Sequence, residues 1–313
     1  MNWKLKSTIQ NVVSRLPSRL SYDVYYLLQR HYGNLKISNP ASRLQAGAEI
    51  IRRIQQAGCP VLGKTFLEVG TGHQLNIPIA LWLCGAGQTI TIDHNPYLKP
   101  QLIQEDITYL RKHSEEIRTL FQDQAQQPLY GYRHSELLKQ QEFVLDEFLR
   151  MMNIQYCSHA DAAHLHLDSE SIDFHISYTT LEHIPPEPLI GVLLESRRVL
   201  RRDGLFVHLI DMTDHFSHSD RSISSINFLQ FSDSEWQKYA GNRYMYQNRM
   251  RIDEYLKLMK AAGLTVVSME TRIDPVALNW LRQGQHLNDK FRDKPPEVNA
   301  ISSAWIIARP AST

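Results

Sequence analysis

The sequence predicts an open α/β fold, a doubly wound and mostly parallel seven-stranded sheet with an antiparallel edge. Three observations carry this. Apolar, β-branched runs alternate with helix-periodic segments, an order that demands parallel strands covered on both faces. The first such run, KTFLEVG at 64–70, passes directly into two glycines one residue apart, Gly70 and Gly72. The second, QTITID at 88–93, ends on an acid, Asp93.

Each element follows from its local pattern. Residues 1–60 read as a helical N-terminal extension and 61–313 as the sheet domain. At the start, Trp3, Leu5, Ile9, Val12, Val13 and Leu16 recur at roughly helical spacing, with Lys4, Lys6, Arg15 and Arg19 between them. Such a helix either rests on anionic lipid, a peripheral membrane contact, or covers the domain or the partner in a homodimer; covering is the expectation. SYDVYYLLQRHY and ASRLQAGAEIIRRIQQAG are helical, the second through Leu44, Ala48, Ile51 and Ile54, with Gly58 as its stop. A helix over LNIPIALWLCGAG links the first two strands.

A regular βαβ unit reaches its next strand within about 20 to 30 residues, yet residues 94–153 precede the strand at Ile154–Cys157. QLIQEDITYLRKHSEEIRTLF and HSELLKQQEFVLDEFLRMM are helix-like, separated by a break at QAQQPLYGYRH. Residues 97–152 are therefore expected to form a helical insertion leaving the carboxyl edge of the sheet, where ligands bind in open α/β folds. The expected role is a substrate cap, the alternative a dimerisation arm. Regular order then resumes. SIDFHISYTT is a strand with its exit loop, PEPLIGVLLESRRVLRRDG a helix ended by Gly204, LFVHLID a strand, and RIDEYLKLMKAAG a helix ended by Gly263. LTVVSMETRI and SAWIIARP close the sheet as an antiparallel pair.

Composition excludes several functions. Lys plus Arg (34) nearly cancels Asp plus Glu (33), so no global field draws nucleic acid. Cys59, Cys84 and Cys157 are scattered without a CxxC, as expected of reduced thiols in a cytoplasmic protein. No apolar run is long enough to span a bilayer, and the N-terminus has neither the apolar core nor the cleavage site of a secretory signal.

The turn at Glu68-Val-Gly70-Thr-Gly72 lets the backbone bend tightly and a ligand approach it closely. A dinucleotide site would use a third glycine and a helix N-terminus to hold pyrophosphate. Here Leu75 stands in its place, and Glu68 adds a carboxylate that repels phosphate. Asp93 is placed to accept hydrogen bonds from ribose hydroxyls. Together these ask for a nucleoside carrying positive rather than negative charge.

On these residues the chain resembles the class I S-adenosylmethionine-dependent methyltransferases, with a Rossmann-like sheet, over about residues 61–210. The acidic-x-Gly-x-Gly element is Glu68, Gly70 and Gly72, and the ribose acid is Asp93. HADAAHLHLDSESIDFHISYTTLEHIP is similar to the stretch in which an Asp-Ala pair meets adenine ahead of the fourth strand. The resemblance implies S-adenosyl-L-methionine as cofactor and S-adenosyl-L-homocysteine as product. It implies Glu68, Gly70, Thr71, Gly72, Asp93, His94, Asp161, Ala162 and Tyr178 as cofactor-binding residues. The chain departs from many relatives at His73-Gln74-Leu75-Asn76 and at Tyr178.

Methyl transfer is an in-line displacement, in which alignment is worth roughly 7–11 kcal/mol. A hydroxyl acceptor also needs a base. LIDMTDHFSHSDRS supplies Asp211, Asp214, His215, His218 and Asp220 after the fifth strand. The expectation is His215 or His218 as general base, with Asp214 or Asp211 orienting it, and His183 as a third candidate. The same cluster could bind a divalent metal that organises two acceptor oxygens, but its spacing does not match the acidic set of metal-dependent catechol-type methyltransferases, so the expectation is no metal. Farther on, Phe228, Phe231, Trp236, Tyr239, Tyr244 and Tyr246 mix with Arg243, Arg249 and Arg251, either lining a sugar or aromatic-metabolite site or packing together. LPSRLSYDVYYLLQRHYG and DHFSHSDRSISSINFLQFSD are similar to bacterial methyltransferases that accompany glycan or secondary-metabolite biosynthesis. A small-molecule or glycan acceptor is thus expected. An N- or C-methyl acceptor, a nicotinamide-dependent oxidoreductase and a non-catalytic cofactor-binding scaffold are the alternatives.

Overall fold

The computed structural model describes residues 1–33, 35–36, 39–140 and 143–311. Its sheet is built from β1 (Thr65–Val69), β2 (Gln88–Asp93), β3 (Ile154–Ser158), β4 (Ile172–Tyr178), β5 (Leu200–Asp211), β6 (Leu264–Ile273) and β7 (Ile301–Pro310). The spatial order is β3-β2-β1-β4-β5-β7-β6. Strands β1 to β5 pair in parallel, while β7 runs antiparallel to both β5 and β6. This is the predicted Rossmann-like class. The strand order reverses at β1 and β4, which leaves a crevice at their carboxyl ends.

Alternation along the strands feeds two cores. Phe66, Phe174, Leu205 and Val207 face α3 (Ala41–Gln56) and α4 (Asn76–Leu83). Leu67, Val69, Ile90 and Phe206 face α9 (Pro186–Val199) and α11 (Ile252–Ala261). The long excursion after β2 forms α5 (Pro100–Lys112), α6 (Ser114–Phe121), α7 (Gln127–Lys139) and α8 (Leu145–Met151). Ile103, Ile107, Leu110, Phe121, Tyr130 and Phe148 from these helices join the core that α3 and α4 share.

Two boundaries differ from the sequence reading. α7 starts inside the expected break, because Pro128 sits in its first turn, where a missing N–H costs nothing. The helix expected over 134–152 is divided between α7 and α8, and its Gln141 and Glu142 lie outside the described residues. α9 ends at Val199 rather than Gly204. Leu200 already pairs with Ile172, and the register shifts before Phe174 pairs with Leu205, so Arg201–Gly204 form a bulge on β5.

The N-terminal α1 (Trp3–Ser14) covers the domain. Trp3 packs against Phe216, Trp236 and Tyr239, and Ser7 donates to the Tyr239 carbonyl at 2.7 Å. Behind it lie α10 (Asp233–Ala240), α12 (Pro275–Arg282), α13 (Asp289–Arg292) and α14 (Pro296–Asn299), whose Trp236, Ala277 and Phe291 belong to a third, smaller core with Phe216 and Phe228. α2 (Ser18–Tyr32) crosses the carboxyl edge of the sheet, where Tyr22 bonds Asn95 in the β2 exit loop.

The segment between α10 and α11 straps the exit loops of β4 and β5 in place. Asn248 donates to the carbonyls of Leu181 and Ile184, each at 2.9 Å, and Gln247 donates to the Thr213 carbonyl at 2.8 Å. Arg251 is fully buried and donates to the carbonyls of Met212 at 2.7 Å, Asn299 at 2.8 Å and Ile301. Burial pushes its guanidinium down to about 10, so it stays charged at neutral pH. Removing it orphans several buried carbonyls, each costing about 1–3 kcal/mol. Arg251→Met is therefore expected to lower unfolding free energy by about 3 kcal/mol or more, measured by urea denaturation.

Candidate active site

The turn after β1 is held to the sheet by its own backbone. The amides of Gly70 and Thr71 both donate to the Ile92 carbonyl, at 2.9 and 3.2 Å. Gly70 (φ 95°) and Gly72 (φ 68°) are left-handed, as a tight turn requires. Gly70 also admits a neighbour: a Cβ there would stand 2.4 Å from Thr180 Oγ1, in the exit loop of β4. The two strands that flank the crevice thus meet, side chain to backbone, at its floor.

Glu68 lies under this turn rather than in the cleft. It is 2 % exposed, and Thr91 Oγ1 donates to its Oε2 at 2.5 Å. Thr71 extends the chain through a 2.6 Å hydroxyl contact with Thr91. Burial pushes the Glu68 carboxyl up to about 7, so at neutral pH it is a bracing group as much as a charge. The phosphate repulsion expected of it is correspondingly weakened. Asp93 is better placed: its Oδ2 accepts from the Gly72 amide at 2.9 Å and its Oδ1 from the Asn95 amide at 3.0 Å. Each oxygen keeps a lone pair for another donor.

The remaining residues expected to bind cofactor are dispersed around this point. His94 is exposed beside Asp93. Asp161 is exposed and caps its own turn, accepting from the Ala163 amide at 2.9 Å and contacting His164 Nδ1 at 2.8 Å. Ala162 follows it half-buried. Tyr178 stacks beneath the Arg43 guanidinium, 5.0 Å from its ring centre, and near Trp305. A cavity of about 440 Å³ opens between α2 and the exit loops of β1, β2 and β3. Its walls include Tyr22, Tyr26, His73, Asn95, Tyr97 and His159. α2, rather than the body of α5–α8, closes this cavity; the excursion contributes only its entry around Tyr97 and Lys99. Sequence reasoning missed the α2 tyrosines, whose spacing alone marks only an amphipathic helix.

The second polar centre joins the exit loops of β4 and β5. The rings of His183 and His215 lie 5.0 Å apart, as do those of His215 and His218. Asp211 Oδ2 stands 3.5 Å from His215 Nε2 and 3.7 Å from His218 Nε2. Although Asp211 is half-buried, which raises it, His215 and Thr213 hold its carboxyl down to about 2. Asp214, the other carboxylate expected to orient a histidine, is engaged elsewhere: it accepts from the Phe216 amide at 2.9 Å and Asn227 Nδ2 at 3.0 Å. It shapes the loop, and burial raises it to about 6. The aromatic and arginine residues farther on are mostly packing. Phe228 and Trp236 are core, and Arg249 and Arg251 bond backbone carbonyls.

Residues 134–208 match the family model described as a methyltransferase domain. The match spans β3, β4 and most of β5 and leaves the Gly70 turn outside it. No curated protein matches the sequence. Solved structures that are similar include a protein of Pyrococcus horikoshii (15% identity, 91% of this chain and 98% of that chain, TM-score 0.48). Others are an S-adenosylmethionine-dependent methyltransferase of Methanosarcina mazei (13%, 83% and 98%, TM-score 0.45) and geranyl diphosphate methyltransferase in complex with S-adenosylmethionine (12%, 85% and 85%, TM-score 0.44). The family match is thus to a methyltransferase domain within residues 134–208, and the solved structures are similar in fold.

Two expectations follow. Glu68 binds more protons folded than unfolded between its ordinary 4.5 and about 7, so its contribution to stability falls as pH rises through that window. Glu68→Gln should raise the melting temperature above pH 7, by a free energy of about 3 kcal/mol, and do little below pH 4.5. Gly70→Ala should weaken S-adenosylmethionine binding more than about tenfold by calorimetry. Adding Thr180→Ala should restore only part of it, because the left-handed φ persists.

Proposed function

We propose that the protein transfers the sulfonium methyl group to a hydroxyl of a small-molecule or glycan acceptor, with a histidine on Asp211 as base. The observation that supports this is the contiguity of the two centres. The Gly70 turn touches Thr180, and Thr180 leads through Leu181 into the Glu182–His183 turn that faces His215. The cavity beneath α2 takes the adenosine half of the donor. Asp93 accepts from the ribose, Asp161 and Ala162 meet adenine, Gly70, Thr71 and Gly72 approach the amino-acid end, and His94 and Tyr178 flank them.

The acceptor oxygen attacks the methyl carbon in line with sulfur. The O–C bond forms as the C–S bond breaks, the bonding pair stays on sulfur, and neutral S-adenosylhomocysteine leaves. The acceptor proton passes to an imidazole of the His215–His218 pair, and ionised Asp211 stabilises the cation so formed. Excluding water and fixing the line of attack supply most of the acceleration.

Other parts of the reading are peripheral. Leu5, Ile9 and Val12 are exposed on α1 beside Lys4 and Arg15, which supports a peripheral contact with an anionic surface. No helix among the described residues is long and apolar enough to cross a membrane. Three unpaired cysteines suit a reducing, cytoplasmic setting.

The base must be neutral to act. Burial lowers His218 below its ordinary 6.5; facing it are His215, Lys6 on α1 and Arg221, which also lower it, and Asp211, which opposes them. Turnover against an acceptor panel should therefore rise with pH through a limb below 6.5 and then level off. His215→Ala and His218→Ala together should cut kcat by about 10²-fold or more with donor affinity unchanged. Undiminished turnover of the double variant at every pH would discard the assignment.

A further inference from the structure

Glu182 is a buried acid without a partner. It is 2 % exposed, and neither carboxylate oxygen has a hydrogen-bond partner. Burial and the nearby Asp211 raise its pKa well above the ordinary value; the backbone N–H groups of Glu182 and Asp211 temper this without giving either oxygen a bond of good geometry. Buried polar groups are nearly always paired, and an unpaired buried carboxylate is costly enough to need an explanation.

Two imidazoles lie close to this carboxylate. His183 Nδ1 lies 2.8 Å from the Tyr246 carbonyl, which can only accept, so Nδ1 carries the proton and Nε2 holds a free lone pair. That is how a metal-binding histidine is usually oriented, by a backbone carbonyl behind it. His215 Nε2 is buried, and its contact with Asp211 Oδ2, at 3.5 Å, falls short of a hydrogen bond. One ligand atom from each of Glu182, His183 and His215 lies within 4.8 Å of the other two.

We propose that Glu182, His183 and His215 hold one divalent transition-metal ion, which takes the acceptor oxygen at an open position. This deepens the hydroxyl-methylation reading and rests on it only for the role of that open position. Two imidazoles and a carboxylate suit zinc, manganese, iron or cobalt; magnesium and calcium prefer all-oxygen sets. Tetrahedral bonds of about 2.1 Å put ligand atoms about 3.4 Å apart, so a pair at the 4.8 Å limit closes by about 1.4 Å, through imidazole rotation at the exposed His183. Asp211, 3.5 Å from His215 Nε2, stands behind the site as a further acid. The ion would lower the pKa of a bound acceptor hydroxyl. With His215 coordinated, His218 receives the proton, and the bond changes are otherwise those given above. The sequence pointed to no metal because its acidic run after β5 lacks a ligand set. The carboxylate and one imidazole come from the exit loop of β4.

The test uses the full chain, stripped with chelator and titrated with Co²⁺ alone, read by visible absorption. Saturable uptake of one equivalent is expected, with Zn²⁺ displacing it. Glu182→Gln and His183→Ala should each weaken uptake at least tenfold while keeping the wild-type circular dichroism. Absence of uptake by the stripped wild type, or equal uptake by both variants, overturns the site. A readout that needs no variant is imidazole nuclear magnetic resonance of the wild type with Zn²⁺. Two ring systems belonging to His183 and His215 should shift together; a response confined to surface rings such as His164 overturns the proposal. None of these depends on turnover. Intact hydroxyl methylation without metal uptake would remove the ion and leave the reaction standing. Uptake without methylation of any hydroxyl would do the reverse.

Discussion

The structure depends on how closely β1 and β4 approach at their carboxyl ends. These strands pair in parallel through Phe66–Phe174, Leu67–His175 and Glu68–Ile176, and the chain beyond each must turn away within a few residues. Because Gly70 has no Cβ, Thr180 can lie against its backbone. The β4 loop is therefore drawn in over the β1 turn instead of splaying outward. In the proposed reaction, donor and acceptor chemistry then fall on two sides of a single contact. A methyl group travels only a bond length or two, so a reaction of this type requires that proximity and little else from the fold.

A second constraint keeps the histidines where they are. The exit loops of β4 and β5 have no regular partner of their own, and a strap from Asn242 to Arg251 supplies one. Asn248 takes both carbonyls that flank the Glu182–His183 turn, while its Oδ1 accepts from the Met250 amide at 3.0 Å and from Tyr255 at 3.1 Å. Gln247 bridges the Thr213 carbonyl and, at 3.2 Å, the His215 amide. On the other side, α1 reaches the same loop: the Trp3 amide donates to Asp220 Oδ2 at 2.8 Å and Lys6 to Ser219 Oγ at 3.1 Å. Loops satisfied in this way by buried amides and carbonyls are rigid supports for the side chains they carry.

What could be read from the sequence divides along the same boundary. Strand periodicity, the Gly70–Gly72 turn and the acid at Asp93 are local signals, set by residues within one element, and they gave the sheet and its first loop. The β5 bulge was invisible because the Leu200–Ile172 pairing that starts the strand early is a tertiary contact, and Arg201 and Arg202 continue a helical-looking pattern. Asp214 and Asp211 could not be separated as partners of His215 from spacing alone. Which one turns inward is decided by Asn227, thirteen residues later in the chain. The same holds for α2, whose tyrosines gain meaning only when the helix is laid across the carboxyl edge.

The acids around the crevice show what kind of ligand would relieve the site. Glu68, Asp93 and Glu182 all have raised pKa values, with burial the leading cause in each. Their neighbours compound it: Asp93 raises Glu68, and Asp211 raises Glu182. Asp211 alone of the four is held low, and it is the one with imidazole and hydroxyl partners already in place. A carboxylate whose charged form is disfavoured by burial becomes a favourable site once a cation arrives, because desolvation has already been suffered in folding. A sulfonium beside the Gly70 turn would recover part of that cost near Glu68 and Asp93, and would do so only while the methyl group is still attached. In the proposed reaction the neutral product loses that attraction, so the electrostatics that would seat the donor also favour release of what remains after transfer.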